Sequence, residues 1–237
     1  MLRQTLTAIA LCAASAAQAA FVTVDFSPSF NHSFLESRFV INGGYPTGAQ
    51  TLGGVQFAIA PAGTAAAPVN NFWHSRSASG SNPRTLSITG LNIANATAGY
   101  TLINTWWGTT DPSYAPTVTF TFSDGSTTAR TLLGGVDVRD YNDATWTNTI
   151  SGNTQQVWTN SMGQRFDMQT YAFGANAGKT LTGFTLQDVG AENISRVFMS
   201  GLTIQTPDTS VIPLPPAAWL LLSGMGLFGV MGRVRRS

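Results

Sequence analysis

Apolar and polar residues alternate with a period of two over much of the chain, which predicts β-strands. The clearest segment is 117–122, in which Val118, Phe120 and Phe122 would face one side and the intervening threonines the other. Asp124-Gly125 follows as a hairpin turn signal, and the chain would return through residues 127–133. Further strands are predicted at 21–26, 55–59, 85–89, 181–186 and 197–204.

The predicted strands are short, and segments rich in glycine, asparagine and proline separate them. We find no stretch between residues 20 and 205 with the 3.6-residue period of an amphipathic helix. Residues 61–68 are predicted as a loop and residues 206–212 as a linker. We therefore expect an all-β domain over residues 20–205, built as an antiparallel β-sandwich or jelly roll.

Residues 1–19 have the three parts of a secretory signal peptide. Arg3 supplies the positive charge, an apolar stretch begins at Leu6, and Ala17 and Ala19 are the small residues at the −3 and −1 positions. The apolar stretch is too short to span a bilayer as a stable helix. We expect cleavage after Ala19 and export of the domain that follows.

Residues 213–237 have the features of a transmembrane helix followed by a cytoplasmic stop. The stretch from Ala217 to Gly232 carries no charge, and Trp219 lies where an indole would meet the membrane interface. The apolar stretch beginning at Leu214 is about long enough to cross the hydrocarbon core once. By the positive-inside rule, the arginines after it would stay in the cytoplasm. They are Arg233, Arg235 and Arg236.

This tail resembles the PEP-CTERM sorting signal of Gram-negative bacteria, which combines a proline motif, a glycine-rich apolar helix and terminal arginines. The motif here is Pro213, Leu214, Pro215 and Pro216, similar to the Val-Pro-Leu-Pro-Ala variant, with Leu214 in place of the usual glutamate. The resemblance implies an exosortase as partner, transient anchoring in the inner membrane, and release to the cell envelope or the outside. It further implies an association with exopolysaccharide or biofilm.

Charge and cysteine content exclude several other classes of partner and site. Four of the twelve basic residues lie in the terminal segments, which leaves eight against eleven acidic residues and a net charge near −3. This balance argues against nucleic acid or anionic lipid as partners. The single cysteine lies in the signal peptide, so the mature domain has no thiolate metal site and no cysteine nucleophile.

The sequence offers little for catalysis. His32 and His74 are the only histidines, and neither fits a metal-ligand spacing or a Ser-His-Asp order with a nucleophile elbow. Glu36 and Glu192 are the only glutamates, whereas a glycosidase needs paired carboxylates. We therefore expect no enzyme, no catalytic residue, no cofactor and no metal centre, with a secreted glycan hydrolase as a remaining alternative.

A second resemblance concerns the domain itself. Residues 135–142, 179–181 and 200–204 are similar to segments of galactose-binding-like jelly rolls, which many carbohydrate-binding modules use. The resemblance implies a carbohydrate-binding module, with polysaccharide as ligand, as the alternative function.

Aromatic residues beside polar groups would suit a sugar ligand. Adjacent strand residues face opposite sides, so one of Trp106 and Trp107 would be exposed and could stack on a sugar ring. Asp137, Arg139 and Tyr141 are candidates to complete the glycan site. In the alternative interpretation, Arg139 pairs with an aspartate and Tyr141 packs at the end of the sandwich. The acidic residues of this segment could instead hold a structural calcium ion.

Overall fold

The protein is built almost entirely from β-strands. A computed structural model describes residues 19–35, 44–75, 84–106, 108, 110–142, 149–189 and 196–207. Single-turn 3-10 helices at Ser27–Ser29, Pro112–Tyr114 and Gly174–Asn176 are the only helices within these ranges. The strands are β1 Ala19–Thr23, β2 Gly48–Leu52, β3 Val55–Ile59, β4 Gly63–Thr64, β5 Ala67–Pro68, β6 Trp73–His74, β7 Arg84–Ala96, β8 Ala98–Trp106, β9 Thr117–Phe122, β10 Thr127–Thr131, β11 Thr154–Thr159, β12 Arg165–Ala172, β13 Lys179–Asp188 and β14 Arg196–Pro207.

These strands form two large sheets and two separate hairpins. The six-stranded sheet has the order β1-β14-β8-β12-β11, with β6 also pairing β14, and the four-stranded sheet has the order β10-β9-β13-β7. The hairpins are β2–β3 and β4–β5. Every pairing between these strands is antiparallel. The prediction of an all-β domain with antiparallel sheets is confirmed.

Regular alternation predicted strands correctly. In β9, Val118, Phe120 and Phe122 are buried while the three threonines are partly exposed, and β3 matches the predicted segment 55–59. The turn at Asp124-Gly125 joins β9 to β10, and the φ of +80° at Gly125 is a left-handed conformation that favours glycine. Residues 61–68, predicted as a loop, instead contain the short β4–β5 hairpin.

The central strands β8 and β14 of the six-stranded sheet are buried on both faces over much of their length. The inner face of the sheet packs on the four-stranded sheet, where the ring centre of Phe120 lies 5.2 Å from those of Tyr171 and Phe184. Its outer face carries a second core, in which Phe198 of β14 and Leu102 of β8 belong to the same cluster as residues of the β2–β3 hairpin. This is why β14 contains the continuous apolar run Val197–Phe198–Met199 rather than an alternating pattern.

Gly99 of β8 leaves room for an aromatic ring from the opposite sheet. A Cβ atom on Gly99 would lie 2.6 Å from Cζ of Phe120 and 3.3 Å from Cζ of Phe173. Both rings are buried in the core and have little space to move. We expect Gly99→Ala to lower the free energy of unfolding by about 1–3 kcal/mol, as overpacking of a core does.

Gly183→Ala is the matched control for this prediction. Gly183 also lies in a strand, but the nearest contact of an added Cβ would be the Ile88 carbonyl oxygen at 3.4 Å. The loss of stability, measured from urea melts, should therefore be smaller at Gly183 than at Gly99. Equal losses at the two positions would contradict the packing described here.

The first and last described strands pair with each other, Ala19 opposite Pro207 and Thr23 opposite Thr203. Strand β14 therefore runs through Thr206 and Pro207, two residues into the predicted linker. Within the described residues no helix has the length and apolar character needed to cross a membrane. The other predictions for the two ends lie outside the described residues. They concern Ala17, the motif Pro213, Leu214, Pro215 and Pro216, the transmembrane helix, and Arg233, Arg235 and Arg236.

Candidate functional site

The segment predicted to contribute Asp137, Arg139 and Tyr141 lies between two strands of the six-stranded sheet. Strands β8 and β12 pair from Ala98 to Leu102 and then separate. In the gap, the backbone N–H of Thr105 donates to the Arg139 carbonyl at 2.9 Å, and the N–H of Tyr141 donates to the Thr105 carbonyl at 2.9 Å. On the other side, the N–H of Arg165 donates to the Tyr141 carbonyl at 2.9 Å. Residues 139–141 thus fill the gap like a short additional strand, which we call the wedge.

The side chain of Arg139 forms a bidentate ion pair with Asp167 of β12. Its Nε lies 2.7 Å from Oδ2 of Asp167 and its Nη2 lies 2.8 Å from Oδ1. Asp167 is completely buried, and Nδ2 of Asn104 donates a third hydrogen bond to its carboxylate at 2.8 Å. Two parallel N–H donors match the geometry of a carboxylate, which makes such pairs strong. This is the arrangement of the alternative interpretation, in which Arg139 pairs with an aspartate.

Asp137, two residues before Arg139, is also held by an ion pair. Its carboxylate forms an ion pair with the guanidinium of Arg130 and accepts the backbone N–H of Leu133 at 3.0 Å. Its backbone carbonyl accepts the hydroxyl of Thr154 at 2.9 Å. The residue is buried. Asp137 therefore ties the loop before the wedge to β10 and β11.

Aromatic candidates lie in or beside the second core. Tyr141 is buried there with its ring centre 6.0 Å from that of Phe198, and burial, assisted by the Asp140 carboxylate, raises the pKa of its hydroxyl. Trp106 is half-buried at the end of β8, 6.0 Å between ring centres from His74. Trp107 lies outside the described residues. The structure thus brings Asp137, Arg139 and Tyr141 together but turns them inward, and their role in glycan binding stays a prediction.

Metal-binding side chains are sparse in the part of the chain that the structure describes. No three His, Cys, Asp or Glu side chains are grouped there so that they could hold an ion. In the acidic segment proposed for calcium, Oδ1 of Asp140 accepts the N–H of Asn142 at 3.0 Å, while Asp137 pairs with Arg130. The fold does bring His32 and His74 together, with 4.9 Å between their ring centres.

An open groove lies on the outer face of the six-stranded sheet, beside the Gly53-Gly54 turn of the β2–β3 hairpin. Its volume is about 540 Å³, within the range of small-ligand sites. Side chains cross the sheet obliquely along its floor. Phe21 pairs with Gln205 and Tyr100 pairs with Thr170, while the partner of Tyr100 in β14 is Thr203, two residues from Gln205. The side chains of the floor, from β1 to the start of β11, are Phe21, Gln205, Tyr100, Thr170 and Asn153. We call this site the Tyr100 groove.

Tyr100 occupies the middle of the Tyr100 groove. Its ring is half-buried and meets Phe21 edge-on, with 6.1 Å between ring centres, and its hydroxyl donates to Oε1 of Gln205 at 2.5 Å. Burial raises the pKa of this hydroxyl, so it stays neutral and keeps its proton at ordinary pH. The described residues that line the Tyr100 groove include aromatic rings, amides and hydroxyls but no charged side chain.

Sequence reasoning missed the Tyr100 groove. The alternation of β8 is interrupted by buried polar residues, among them Thr101 and Asn104, so the strand that carries Tyr100 was not predicted. The usable signals were Tyr100, two residues before Leu102, and the amides Asn153 and Gln155, two residues apart in another segment. Neither pattern alone specifies a site.

Comparison with known proteins adds no family to these observations. No protein-family model matches the chain, and no curated protein matches it.

Proposed function

We propose that the chain is an exported, non-enzymatic protein of the Gram-negative cell envelope or extracellular matrix, sorted by an exosortase and associated with exopolysaccharide. The observation that carries the proposal is the order of signals at the two ends. Signal-peptide features occupy residues 1–19, and a proline motif, an apolar stretch and arginines follow in that order within 213–237. Three independent features in the correct order are far more specific than any one of them.

The placement of the termini supports the same proposal. Ala19 and Pro207 face each other at one end of the β1–β14 pair, so both processing sites would lie beyond the packed core. Cleavage after Ala19 would leave four of the five residues of β1 in their pairing. Removal of the tail within 213–237 would leave β14 intact. Both cuts are therefore compatible with a domain that stays folded.

In the proposed sequence of events, the C-terminal helix first holds the exported domain at the inner membrane, with the arginines in the cytoplasm. Prolines at 213, 215 and 216 lack backbone N–H groups and would keep the chain extended. An extended segment suits capture in a protease-like active site. Cleavage there would then release the domain to the envelope or the outside.

Changing both Pro213 and Pro215 to alanine should leave export intact but prevent removal of the tail. The variant should accumulate as a membrane-bound form whose intact mass includes residues through Ser237. Cell fractionation and intact-mass measurement in the native host test this. The wild-type product should lack the tail, and a wild-type extracellular protein that still carries Ser237 would refute the sorting proposal.

Deleting Arg233, Arg235 and Arg236 is the matched control. The proline motif is then unchanged, but the cytoplasmic stop is lost. We expect weaker retention in the inner membrane before sorting, rather than an uncleaved form locked in it. The two variants thus separate recognition of the motif from anchoring by the helix.

A carbohydrate-binding module is the second candidate function, and the uncharged, aromatic Tyr100 groove is the observation that favours it. The carbohydrate-binding candidate is linked to one particular arrangement of the two large sheets, the jelly roll. We propose that the two large sheets form a jelly-roll β-sandwich, since the chain crosses between them at β6–β7, β7–β8, β8–β9, β10–β11, β12–β13 and β13–β14. Repeated crossing between sheets is typical of Greek-key and jelly-roll topologies.

A further inference from the structure

We infer that the Tyr100 groove binds a single chain of a neutral polysaccharide. The inference rests on the proposed carbohydrate-binding function and assigns to it a site and a class of ligand. It concerns an exposed surface that is separate from the wedge and from both terminal segments.

Charge selects a neutral ligand over an acidic one. The described lining of the Tyr100 groove has no basic side chain that could pair with a carboxylate or sulfate. Elsewhere, three of the six described basic residues are engaged in ion pairs within the protein, namely Arg130, Arg139 and Lys179. With a domain net charge near −3, an acidic polymer would also be repelled overall. A ligand without ionised groups avoids both costs.

The length of the Tyr100 groove favours a polymer over a single sugar. Its floor crosses from β1 through β14, β8 and β12 to the start of β11. Neighbouring strands lie about 4.8 Å apart, so four intervals span about 19 Å. A site of that length can contact several consecutive sugar units.

The side chains provide both kinds of contact that a sugar ring needs. The rings of Phe21 and Tyr100 give apolar surface for the C–H face of a pyranose. Asn153 and Gln155 are exposed, and each amide both donates and accepts hydrogen bonds, as sugar hydroxyls do. The hydrogen bond from Tyr100 to Gln205 fixes the Tyr100 ring before a ligand arrives. Pre-ordering of this kind lowers the entropy lost on binding.

Affinity electrophoresis of the mature protein tests the inference. The gels contain laminarin, dextran or galactomannan as neutral probes, and alginate as the acidic probe. We expect retardation by at least one neutral polysaccharide and none by alginate. Tyr100→Ala should weaken the retardation about tenfold or more, as loss of a central aromatic contact does. Tyr100→Phe should retain most of it because the ring remains.

Two further variants keep this test decisive. Asn153→Trp places a large ring at an exposed position on the floor of the groove and should block binding without touching either core. Tyr114→Ala, in a partly exposed 3-10 turn outside the groove, should bind like the wild type. If Tyr100→Ala lowers the midpoint of urea unfolding, its loss of binding also reflects lost stability. The result with Asn153→Trp then tests the inference by itself.

Three results would overturn the inference: no neutral probe retards the protein, alginate retards it equally, or Asn153→Trp binds like the wild type. Intact mass of the same preparation reports independently on tail removal. A failure of polysaccharide binding at the Tyr100 groove is thereby distinguished from a failure of the sorting proposal.

Discussion

Arg139→Met is expected to lower the free energy of unfolding by about 3–5 kcal/mol, the cost of breaking a buried ion pair on one side. The substitution leaves the carboxylate of Asp167 completely buried and without its cation. The remaining side-chain donor, Nδ2 of Asn104, supplies one hydrogen bond but no charge. Urea unfolding followed by tryptophan fluorescence measures the effect.

The double variant Arg139→Met/Asp167→Leu is the control for this prediction. It removes the buried charge together with its partner, and such replacements are often neutral or stabilising. We expect most of the lost stability to return, with a small deficit because Asn104 loses its acceptor. A double variant as unstable as the single one would mean that steric fit of Arg139, rather than charge, holds the wedge.

Phe120→Ala is expected to cost about 3–5 kcal/mol, as for other large-to-small changes at fully buried aromatic positions. Phe120 is completely buried between the two large sheets and contacts the rings of Tyr171, Phe173 and Phe184. Alanine would leave a cavity that both sheets border, and sheets held by backbone hydrogen bonds collapse into it poorly. Chemical denaturation gives the change in stability.

Thr121→Ala is the neighbouring control. Thr121 follows Phe120 in the same strand, and its side chain is partly exposed on the opposite face. We expect a change within about 0.5 kcal/mol, as for surface substitutions in general. Similar losses at Phe120 and Thr121 would show that the register of β9 differs from the one described.

Regular alternation was enough to predict strands that form the four-stranded sheet. In β9, each apolar position faces the core and each threonine faces solvent, so the period of two is visible in the sequence. The same holds for Leu86 and Ile88 in β7 and for Phe184 and Leu186 in β13, whereas a register shift between Leu181 and Gly183 interrupts the alternation of β13. A sheet with one face against the core and the other against water shows this alternation in its sequence, because the two faces require residues of different polarity.

The six-stranded sheet escaped prediction in part because its polar residues point inward. Asp167 and Gln169 of β12 occupy positions that alternation would assign to an apolar face, and both are completely buried. The amide of Gln169 accepts the backbone N–H of Ile103 at 3.1 Å and donates to the Ile103 carbonyl at 2.8 Å. It thereby replaces a strand partner where β8 and β12 separate. Only the three-dimensional separation of those strands explains a glutamine there.

The candidate glycan residues illustrate the same limit. The sequence correctly suggested that Arg139 and an aspartate could pair, but Asp167 lies in a strand that was not predicted. The Tyr100 groove depends on which residues of neighbouring strands meet on one face of the sheet, and that follows from strand order rather than from any local motif. Local patterns predict elements, whereas a site built across a sheet requires their pairing.

The position of β14 imposes an order on folding in time. It is the last described strand to be synthesised, yet it pairs with β1, β8 and β6 in the interior of the six-stranded sheet. Until residues 196–207 are available for pairing, β1 and β8 lack their shared partner. Neither core can then be completed, because both include residues of β14. Pairing the first strand with the last is slow, since the whole intervening chain must be ordered as a loop. Meanwhile, the unpaired strands are exposed to aggregation. Folding of this domain is therefore a late event, completed only after the chain has emerged through Pro207, immediately before the segment proposed to lodge in the membrane.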